Sequence, residues 1–153
     1  MNNITIRKAE KADMPAVHHL VQELAEFEKA PHEVITSPEI YQKDGFGDHP
    51  LFECFVAEIE EEGIVGITFF YIAYSTWKGK MLYLDDLVIS SKHRRKGIGQ
   101  QLLDHLVEYG KKQGVNQIRW HVLDWNQPAI EMYKKMGASL DSEWITCKLE
   151  FGN

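Results

Sequence analysis

Hydrophobic positions recur at helical spacing in three stretches of the chain, and each stretch predicts an amphipathic helix. The first follows Asp13-Met14-Pro15, where Asp13 is expected to cap the helix and Pro15 loses no hydrogen bond in the first turn; Pro31 ends this helix. The second is predicted over residues 97–113, with Gly114 as its C-terminal stop. The third is predicted over residues 128–136. The apolar stripes of the first two helices are Val17, Leu20, Val21, Leu24 and Phe27, and Ile98, Leu102, Leu103, Leu106 and Tyr109.

Strand-like apolar runs fill most of the remaining chain, and they predict six strands. These runs are residues 5–8, 53–60, 64–74, 80–89, 117–123 and 144–151. The turn residues Glu62-Gly63 and Trp77-Lys78-Gly79 join three of the runs into antiparallel hairpins. Residues 32–50 are irregular, with a short helix expected near 38–43. The pattern therefore predicts a single α/β domain over residues 1–153 with a mixed sheet.

Composition and charge narrow the class of protein. The 153 residues are 44% hydrophobic, which supports a sizeable core, and 17 basic against 23 acidic residues give a net charge of −6. Such a charge disfavours binding to nucleic acid or to an anionic membrane. The N-terminal residues have no apolar signal segment, so a cytoplasmic location is expected. Cys54 and Cys147 both fall in predicted strands, where buried free thiols are expected.

A basic cluster joins a predicted strand to a predicted helix, and it is the most informative stretch of the sequence. It reads Lys92-His93-Arg94-Arg95-Lys96-Gly97-Ile98-Gly99-Gln100. Cations are unfavourable at a helix N-terminus because the helix dipole already makes that end positive, and a bound anion would offset this. The two glycines would let phosphate oxygens approach backbone amides. The alternative is a glycine pair that serves only the turn geometry. The spacing matches neither a Rossmann nor a Walker motif.

Arg94-x-x-Gly97-x-Gly99 after an apolar strand resembles the acyl-CoA pyrophosphate loop of the GNAT N-acetyltransferase superfamily. Five further segments are similar to the diamine N-acetyltransferase branch, which includes spermidine/spermine and thialysine acetyltransferases. They are Glu23-Leu24-Ala25-Glu26-Phe27-Glu28, Asp44-Gly45-Phe46-Gly47-Asp48, Tyr74-Ser75-Thr76-Trp77-Lys78-Gly79, Leu82-Tyr83-Leu84-Asp85-Asp86 and Leu123-Asp124-Trp125-Asn126. The resemblance implies a mostly antiparallel sheet flanked by helices, in which a splayed parallel strand pair holds the acyl-CoA.

The resemblance also implies which residues bind acetyl-CoA, the expected co-substrate. Backbone groups of the strand ending at Ile89 would pair with the pantetheine arm, the basic loop would cradle the pyrophosphate, and the start of the third helix would contact the CoA arm. The residues implied are Leu87, Val88, Ile89, Arg94, Arg95, Lys96, Gly97, Ile98, Gly99, Gln100, Asn126, Pro128 and Ala129. Asn126 would also serve as a helix N-cap.

Catalytic and acceptor-binding roles follow from the same resemblance. Tyr133 matches the tyrosine that protonates the departing thiolate, and a phenol with a pKa of about 10 keeps its proton at neutral pH. Adjacent strand residues point to opposite faces, so only one member of the pair Asp85-Asp86 is expected to face a given pocket. Asp85 is chosen as the base; because the family usually has Glu there, the shorter Asp is expected to act through water. The expected acceptor-site residues are Phe27, Glu28, Asp85, Asp86, Glu143 and Trp144.

The predicted activity is transfer of an acetyl group to a primary amine of a small cation, a polyamine or a thialysine-like amino acid, by direct attack in a ternary complex. Two alternatives remain open: another acceptor (an aminoglycoside, an amino acid or a protein amine), or a non-catalytic acyl-CoA-binding regulator. The histidines have no metalloenzyme spacing, so no metal is expected. Family members commonly form dimers, so a homodimer is expected, with no nucleic-acid or membrane partner.

Overall fold

The computed structural model describes residues 3–152, and the strands and helices follow the hydrophobic pattern closely over the first 120 residues. The strands are β1 (Ile4–Lys8), β2 (Glu53–Ile59), β3 (Gly63–Ser75), β4 (Gly79–Ile89) and β5 (Ile118–Arg119). The helices are α1 (Met14–Phe27), α2 (Pro38–Gly45), α3 (Ile98–Lys112) and α4 (Gln127–Lys135). Short 3-10 turns precede α1 and α2 and follow β4.

The five strands form one sheet in the order β1-β2-β3-β4-β5. The first three pairings are antiparallel, and β4 pairs with β5 in parallel, which confirms the expected mixed and mostly antiparallel sheet. Glycines in left-handed conformations allow the two tight hairpins: Gly63 has φ of 90° and Gly79 has φ of 79°.

The predicted apolar stripes form the core on both sides of the sheet. Met14, Val17 and Leu20 of α1 are buried against β2, β3 and β4. Leu102, Leu103 and Leu106 of α3 are fully buried, and α3 packs against the same three strands. Each helix therefore covers the sheet with the face that its hydrophobic spacing predicts.

Asp13 stands at the start of α1 but does not cap it with its side chain. Its carboxylate instead accepts hydrogen bonds from Arg7, at 2.7 and 3.1 Å, and from the backbone amide of Glu10, at 2.7 Å. Arg7 also donates to Glu58 at 3.0 Å. The ion pair competes successfully for Asp13 because a charge-assisted bond is stronger than a neutral one.

The parallel pairing is short, and this is the main difference from the expected strands. Residues 117–123 were expected to form one strand, but only Ile118 and Arg119 pair, opposite Leu82 and Tyr83. Beyond Tyr83, β4 continues to Ile89 past the end of β5. Beyond Tyr83, the edge of β4 that faced β5 has no neighbouring strand among the residues that the structure describes, so its backbone donors and acceptors are available to a ligand.

The chain divides into two compact units, Met1–Trp120 and His121–Asn153. In the second unit, the strand expected over residues 144–151 is absent. Its apolar side chains Ile145, Leu149 and Phe151 are 86%, 86% and 91% exposed, and Cys147 is exposed rather than buried. Alternation alone did not produce a strand here, because a strand also needs a hydrogen-bonded neighbour. Cys54 in β2 is buried, as expected.

Among residues 3–152, no helix has both the length and the apolar character needed to cross a membrane.

Candidate active site

The basic loop ends at the N-terminus of α3, where backbone amides are left without helical partners. The first helical bond runs from the amide of Gln101 to the carbonyl of Gly97, at 3.1 Å. The amides of Ile98, Gly99 and Gln100 precede it, so the helix itself gives them no acceptor. Gly97 is the N-cap residue and offers no side-chain acceptor to them. Together these groups form a set of donors suited to an anion.

Open space at the two glycines keeps this donor set accessible. A side chain built at Gly97 would meet nothing within 4 Å, and one at Gly99 would only touch Ile89 Cγ1, at 3.8 Å. Gly97 has φ of 81°, and Arg95 has φ of 65°, which is uncommon for a residue with a side chain. Arg94, Arg95 and Lys96 are all exposed. The loop therefore presents exposed positive charge next to amides without helical partners; its binding of a pyrophosphate stays a prediction.

Arg94 makes two contacts that the sequence did not predict. Its guanidinium carbon lies 5.4 Å from the centroid of the Phe27 ring, within the range of a cation–π interaction. Its Nε donates to the carbonyl of Ile89 at 3.3 Å. One side chain therefore connects the end of β4 with the C-terminal end of α1, where Phe27 and Glu28 were expected to meet the acceptor.

A β-bulge at Asp85 changes the expected arrangement of the two aspartates. Phe69 pairs with Asp86 and Phe70 pairs with Leu84, so β4 has one extra residue between these pairs. The premise of regular alternation, from which opposite faces were inferred, is therefore wrong at this position. Both carboxylates raise the pKa of the buried Tyr41 hydroxyl, after the larger effect of its burial. Both charges thus act on one side chain of α2.

Asp86 is the more perturbed of the two aspartates. Burial, the nearby charge of Asp85 and the charge of Glu28 raise its pKa to about 7. Partial burial also raises the pKa of Glu28. Because the pKa of Asp86 lies near neutral pH, its carboxyl group can both accept and release a proton under physiological conditions.

Aromatic rings flank these carboxylates. Tyr71 and Tyr83 are cross-strand partners with ring centroids 5.4 Å apart, and burial followed by the charge of Asp85 raises the pKa of both hydroxyls. Tyr41 packs against Phe69 with centroids 5.2 Å apart. Sequence reasoning did not single out these tyrosines, because an aromatic residue in a strand or helix is usually part of the core.

The second unit holds the remaining predicted residues. Asn126 caps α4, since its side-chain oxygen accepts from the amide of Ala129 at 3.4 Å, and Pro128 lies in the first turn. Tyr133 is 9% exposed within α4. The indole of Trp144 donates to Asp141 at 2.7 Å, while Trp144 and Glu143 are both exposed. The N-cap prediction for Asn126 is confirmed; the ligand-binding roles of these residues stay predictions.

Comparison with known proteins identifies the family. The profile of the acetyltransferase (GNAT) family matches residues 15–138. A thialysine N-epsilon-acetyltransferase of Mus musculus is 39% identical over 98% of this chain and 94% of its own length. The chain belongs to the GNAT acetyltransferase family.

Two further similar proteins are informative. A spermidine/spermine N(1)-acetyltransferase-like protein of Homo sapiens is 34% identical over 94% of this chain, which spans 22% of that longer protein. An aminoglycoside N-acetyltransferase solved in complex with CoA has a TM-score of 0.76, covers 99% of this chain and 97% of its own, and shares 15% identity, which establishes a common fold. This chain is accordingly an acyltransferase, and its relatives include enzymes named for thialysine and for polyamines.

Within the described part of this GNAT chain, no three histidine, cysteine, aspartate or glutamate side chains come together as a metal site.

Removing the charge of the half-buried Asp86 is expected to stabilise the fold, and more strongly at high pH. A carboxyl has a pKa of about 3.9 in an unfolded chain, whereas folding raises that of Asp86 to about 7. The folded protein therefore holds this proton more tightly, and the free energy of unfolding falls as the pH rises between these two values. Asp86→Asn should exceed the wild type in stability at pH 8 by more than at pH 5. Urea unfolding at both pH values measures this.

The matched control is Asp85→Asn, which removes the exposed neighbour. Removal of Asp85 should have a smaller effect on stability at pH 8 than removal of Asp86. If Asp86→Asn raised the free energy of unfolding equally at both pH values, the raised pKa of Asp86 would be contradicted.

Proposed function

We propose that this GNAT acetyltransferase transfers the acetyl group of acetyl-CoA to a primary amine of a small cationic acceptor, a polyamine or a thialysine-like amino acid. The observation that carries the proposal is the continuity of β4 with the donor set of α3. The end of β4, which extends past β5 while it still pairs with β3, leads through one short turn into a cationic loop and three free amides. A ligand with an amide-bearing arm and a diphosphate matches both parts in order.

Acetyl-CoA fits the residues present. The peptide groups of Leu87, Val88 and Ile89 lie beyond the end of β5, where they are suited to the pantetheine amides. The amides from Arg95 to Gln100 and the charges of Arg94 and Lys96 are suited to the pyrophosphate. In the second unit, Asn126, Pro128 and Ala129 at the start of α4 stay predicted contacts for the CoA arm.

The acceptor site is assigned to the carboxylate cluster of the first unit. Glu28, Asp85 and Asp86 influence one another or the same tyrosines, which places negative charge beside aromatic surface. This combination favours an ammonium group, by charge and by cation–π attraction to a ring such as Phe27. The named substrates of the thialysine and polyamine relatives are amines of this kind. Glu143 and Trp144 stay predicted contributors on the basis of the resemblance.

The proposed reaction is a direct displacement in a ternary complex. The acceptor ammonium loses a proton to a carboxylate, and the neutral nitrogen attacks the thioester carbonyl. The C–N bond forms and the C–S bond breaks, and Tyr133 gives its proton to the leaving thiolate. The nitrogen of the new amide releases its second proton to solvent, and the Tyr133 phenolate takes a proton back from solvent. Backbone donors of β4 would stabilise the oxyanion, and binding both substrates side by side supplies proximity.

Asp85 was expected to be the base, acting through water, and Asp86 now competes for that role. Asp86 is more buried, and a pKa of about 7 is better matched to accepting a proton at neutral pH than that of an ordinary carboxylate. The two assignments make different kinetic predictions.

The proposed homodimer rests on the resemblance to the family alone.

Acetyl-CoA turnover with a panel of amines tests the function. Spermidine, putrescine, thialysine, lysine and an aminoglycoside should be compared by thiol release. Turnover should be highest with one of the first three, because the cluster selects compact cations. Preference for the aminoglycoside would reject the acceptor class. If the protein bound CoA but released no thiol with any amine, the alternative of a non-catalytic acyl-CoA-binding regulator would be supported instead.

Gly99→Ala tests the donor set without straining the backbone. Replacing a helical Gly by Ala favours the helix by about 0.5–1 kcal/mol, and the added carbon has room beside Ile89. The variant should therefore melt no lower than the wild type while binding CoA at least about tenfold more weakly, because the carbon obstructs the approach of phosphate. Calorimetric titration with CoA measures this, with Gln101→Ala on the same helix as control. If the CoA affinity of Gly99→Ala were unchanged, the amides at the start of α3 would not be the pyrophosphate site.

The pH dependence of kcat/KM separates the two candidate bases. If Asp86 is the base, kcat/KM of the wild type should fall below pH 7, and Asp86→Asn should lower kcat by about 100-fold or more and abolish that inflection. Asp85→Asn should keep the inflection and mainly raise the KM of the amine. The reverse pattern would restore Asp85 as the base.

Tyr133→Phe should lower kcat by about 100-fold with little change in the Kd of CoA, because the ring stays while the proton donor is lost. The loss should be smaller for an acyl donor with a more acidic leaving thiol. Turnover equal to that of the wild type would exclude Tyr133 as the acid.

A further inference from the structure

His93 is a buried polar residue that the proposed chemistry does not use. It is 7% exposed, and both of its ring nitrogens have partners. Nε2 lies 2.8 Å from Oε1 of Glu62, and Nδ1 lies 3.0 Å from Oγ of Ser90. Burying an imidazole costs free energy unless both of its nitrogens form hydrogen bonds. The two bonds of His93 therefore offset the cost of burying its ring.

The His93 network joins three separate segments. Glu62 belongs to the β2–β3 turn, Ser90 directly follows β4, and His93 ends the 3-10 turn Ser91–His93. The same turn is held from the other side, because the amide of Ser91 donates to Oε1 of Glu23 in α1 at 2.9 Å. The amide of Ser90 donates to the carbonyl of Val65 at 2.8 Å. The chain is thus fixed up to His93.

In the loop that begins at the next residue, Arg94 contacts the Ile89 carbonyl and the Phe27 ring. Residues 94–97 are all exposed, and Arg95 and Gly97 both have positive φ, of 65° and 81°. A left-handed conformation at a residue with a side chain costs about 1–2 kcal/mol, so the surroundings must impose it. The nearest buried residues on either side are His93 and Ile98, which is 1% exposed. Besides these contacts of Arg94, the loop is therefore held at one end by a polar anchor, His93, and at the other by an apolar anchor, Ile98.

We propose that the hydrogen-bonded chain Glu62–His93–Ser90 is a positioning device that holds the loop 94–97 in its anion-binding conformation and thereby sets the affinity for acetyl-CoA. The inference rests on the proposed function for the identity of the anion. His93 is a positioning residue, since it acts through the loop and not on a substrate.

The chemistry of the three side chains makes this anchor insensitive to the charge of the imidazole. In a neutral ring, Nε2–H donates to Glu62 and Nδ1 accepts from the Ser90 hydroxyl. In a protonated ring, both nitrogens donate, and the Ser90 oxygen accepts because its hydroxyl can rotate. Both bonds persist in either state. A leucine of similar volume keeps the packing and loses both bonds.

His93→Leu should weaken CoA binding by about tenfold and leave the KM of the amine within about twofold, because the loop loses its preferred conformation while the carboxylate cluster is untouched. His93→Gln should recover much of the affinity, since its amide can still donate to Glu62. Glu60→Ala, an exposed carboxylate in the same turn, is the control and should match the wild type. Calorimetric titration with CoA and steady-state kinetics give these values.

Hydrogen exchange of the ligand-free protein provides a readout that does not depend on CoA. The amides on either side of the loop that are hydrogen-bonded in the wild type, those of Ser91, His93 and Gln101, should exchange at least about fivefold faster in His93→Leu, while amides of β3 should be unchanged. Should His93→Leu fail to fold, Glu62→Ala breaks the same chain from an exposed position and carries the same expectations. Unchanged exchange and unchanged CoA affinity would overturn the inference. A wild type that does not bind CoA, with faster exchange of those amides in the variants, would overturn the proposed function and leave the positioning role standing.

Discussion

Two helix ends carry charges of the sign that the helix dipole disfavours, and the rest of the candidate site is organised around them. Arg94, Arg95 and Lys96 precede the positive N-terminus of α3, and Glu28 follows the negative C-terminus of α1. Each such charge costs about 0.3–1 kcal/mol relative to a neutral residue. A diphosphate at the first end and an ammonium at the second would reverse both effects. The unliganded fold thus carries an electrostatic cost that substrates of the proposed kinds would remove.

Strand β4 connects these two ends in one direction. Asp85 and Asp86 come first along the strand, the peptide groups of residues 87–89 follow, and the cationic loop comes after the turn at Ser90. In the proposed complex, the order of residues along this strand would therefore set the order of proton acceptor, acyl arm and diphosphate. Arg94 reinforces this link, because it contacts both the Ile89 carbonyl and the Phe27 ring. The raised pKa of Asp86 is the cost of this compact arrangement, since a carboxylate placed among Asp85, Glu28 and protein atoms cannot ionise freely.

The sequence predicted the elements well where hydrophobic spacing decides the structure. The stripes of α1 and α3 and the three strands between residues 53 and 89 lie where spacing indicated, and the left-handed Gly97 and Gly114 mark the predicted ends of α3. Features that depend on pairing partners were missed. The bulge at Asp85 exists only in relation to Phe69 and Phe70, and the alternating residues 144–151 do not form a strand.

Features of the site that depend on long-range contacts were missed for a related reason. His93 was considered only as a member of the basic cluster and as a possible metal ligand, because nothing in a single sequence joins it to Glu62, 31 positions away. Tyr41 comes from α2, far along the chain from the aspartates whose charges reach its hydroxyl. The chemistry-bearing loop could be found from local composition, whereas its anchor and the surroundings of the carboxylates could not.

The state of Asp86 links acceptor binding to the proposed chemistry. With no cation present, burial and the like charges of Asp85 and Glu28 favour the protonated form, so the empty site carries less negative charge than its composition indicates. An arriving ammonium stabilises the ionised form, because an opposite charge within about 4–6 Å lowers a carboxyl pKa. The acceptor would therefore generate the base that it needs. Once the ammonium gives up its proton, the stabilising charge is gone and Asp86 again prefers to hold the proton. The same burial that destabilises the empty fold at high pH then favours the neutral, nucleophilic amine in the ternary complex.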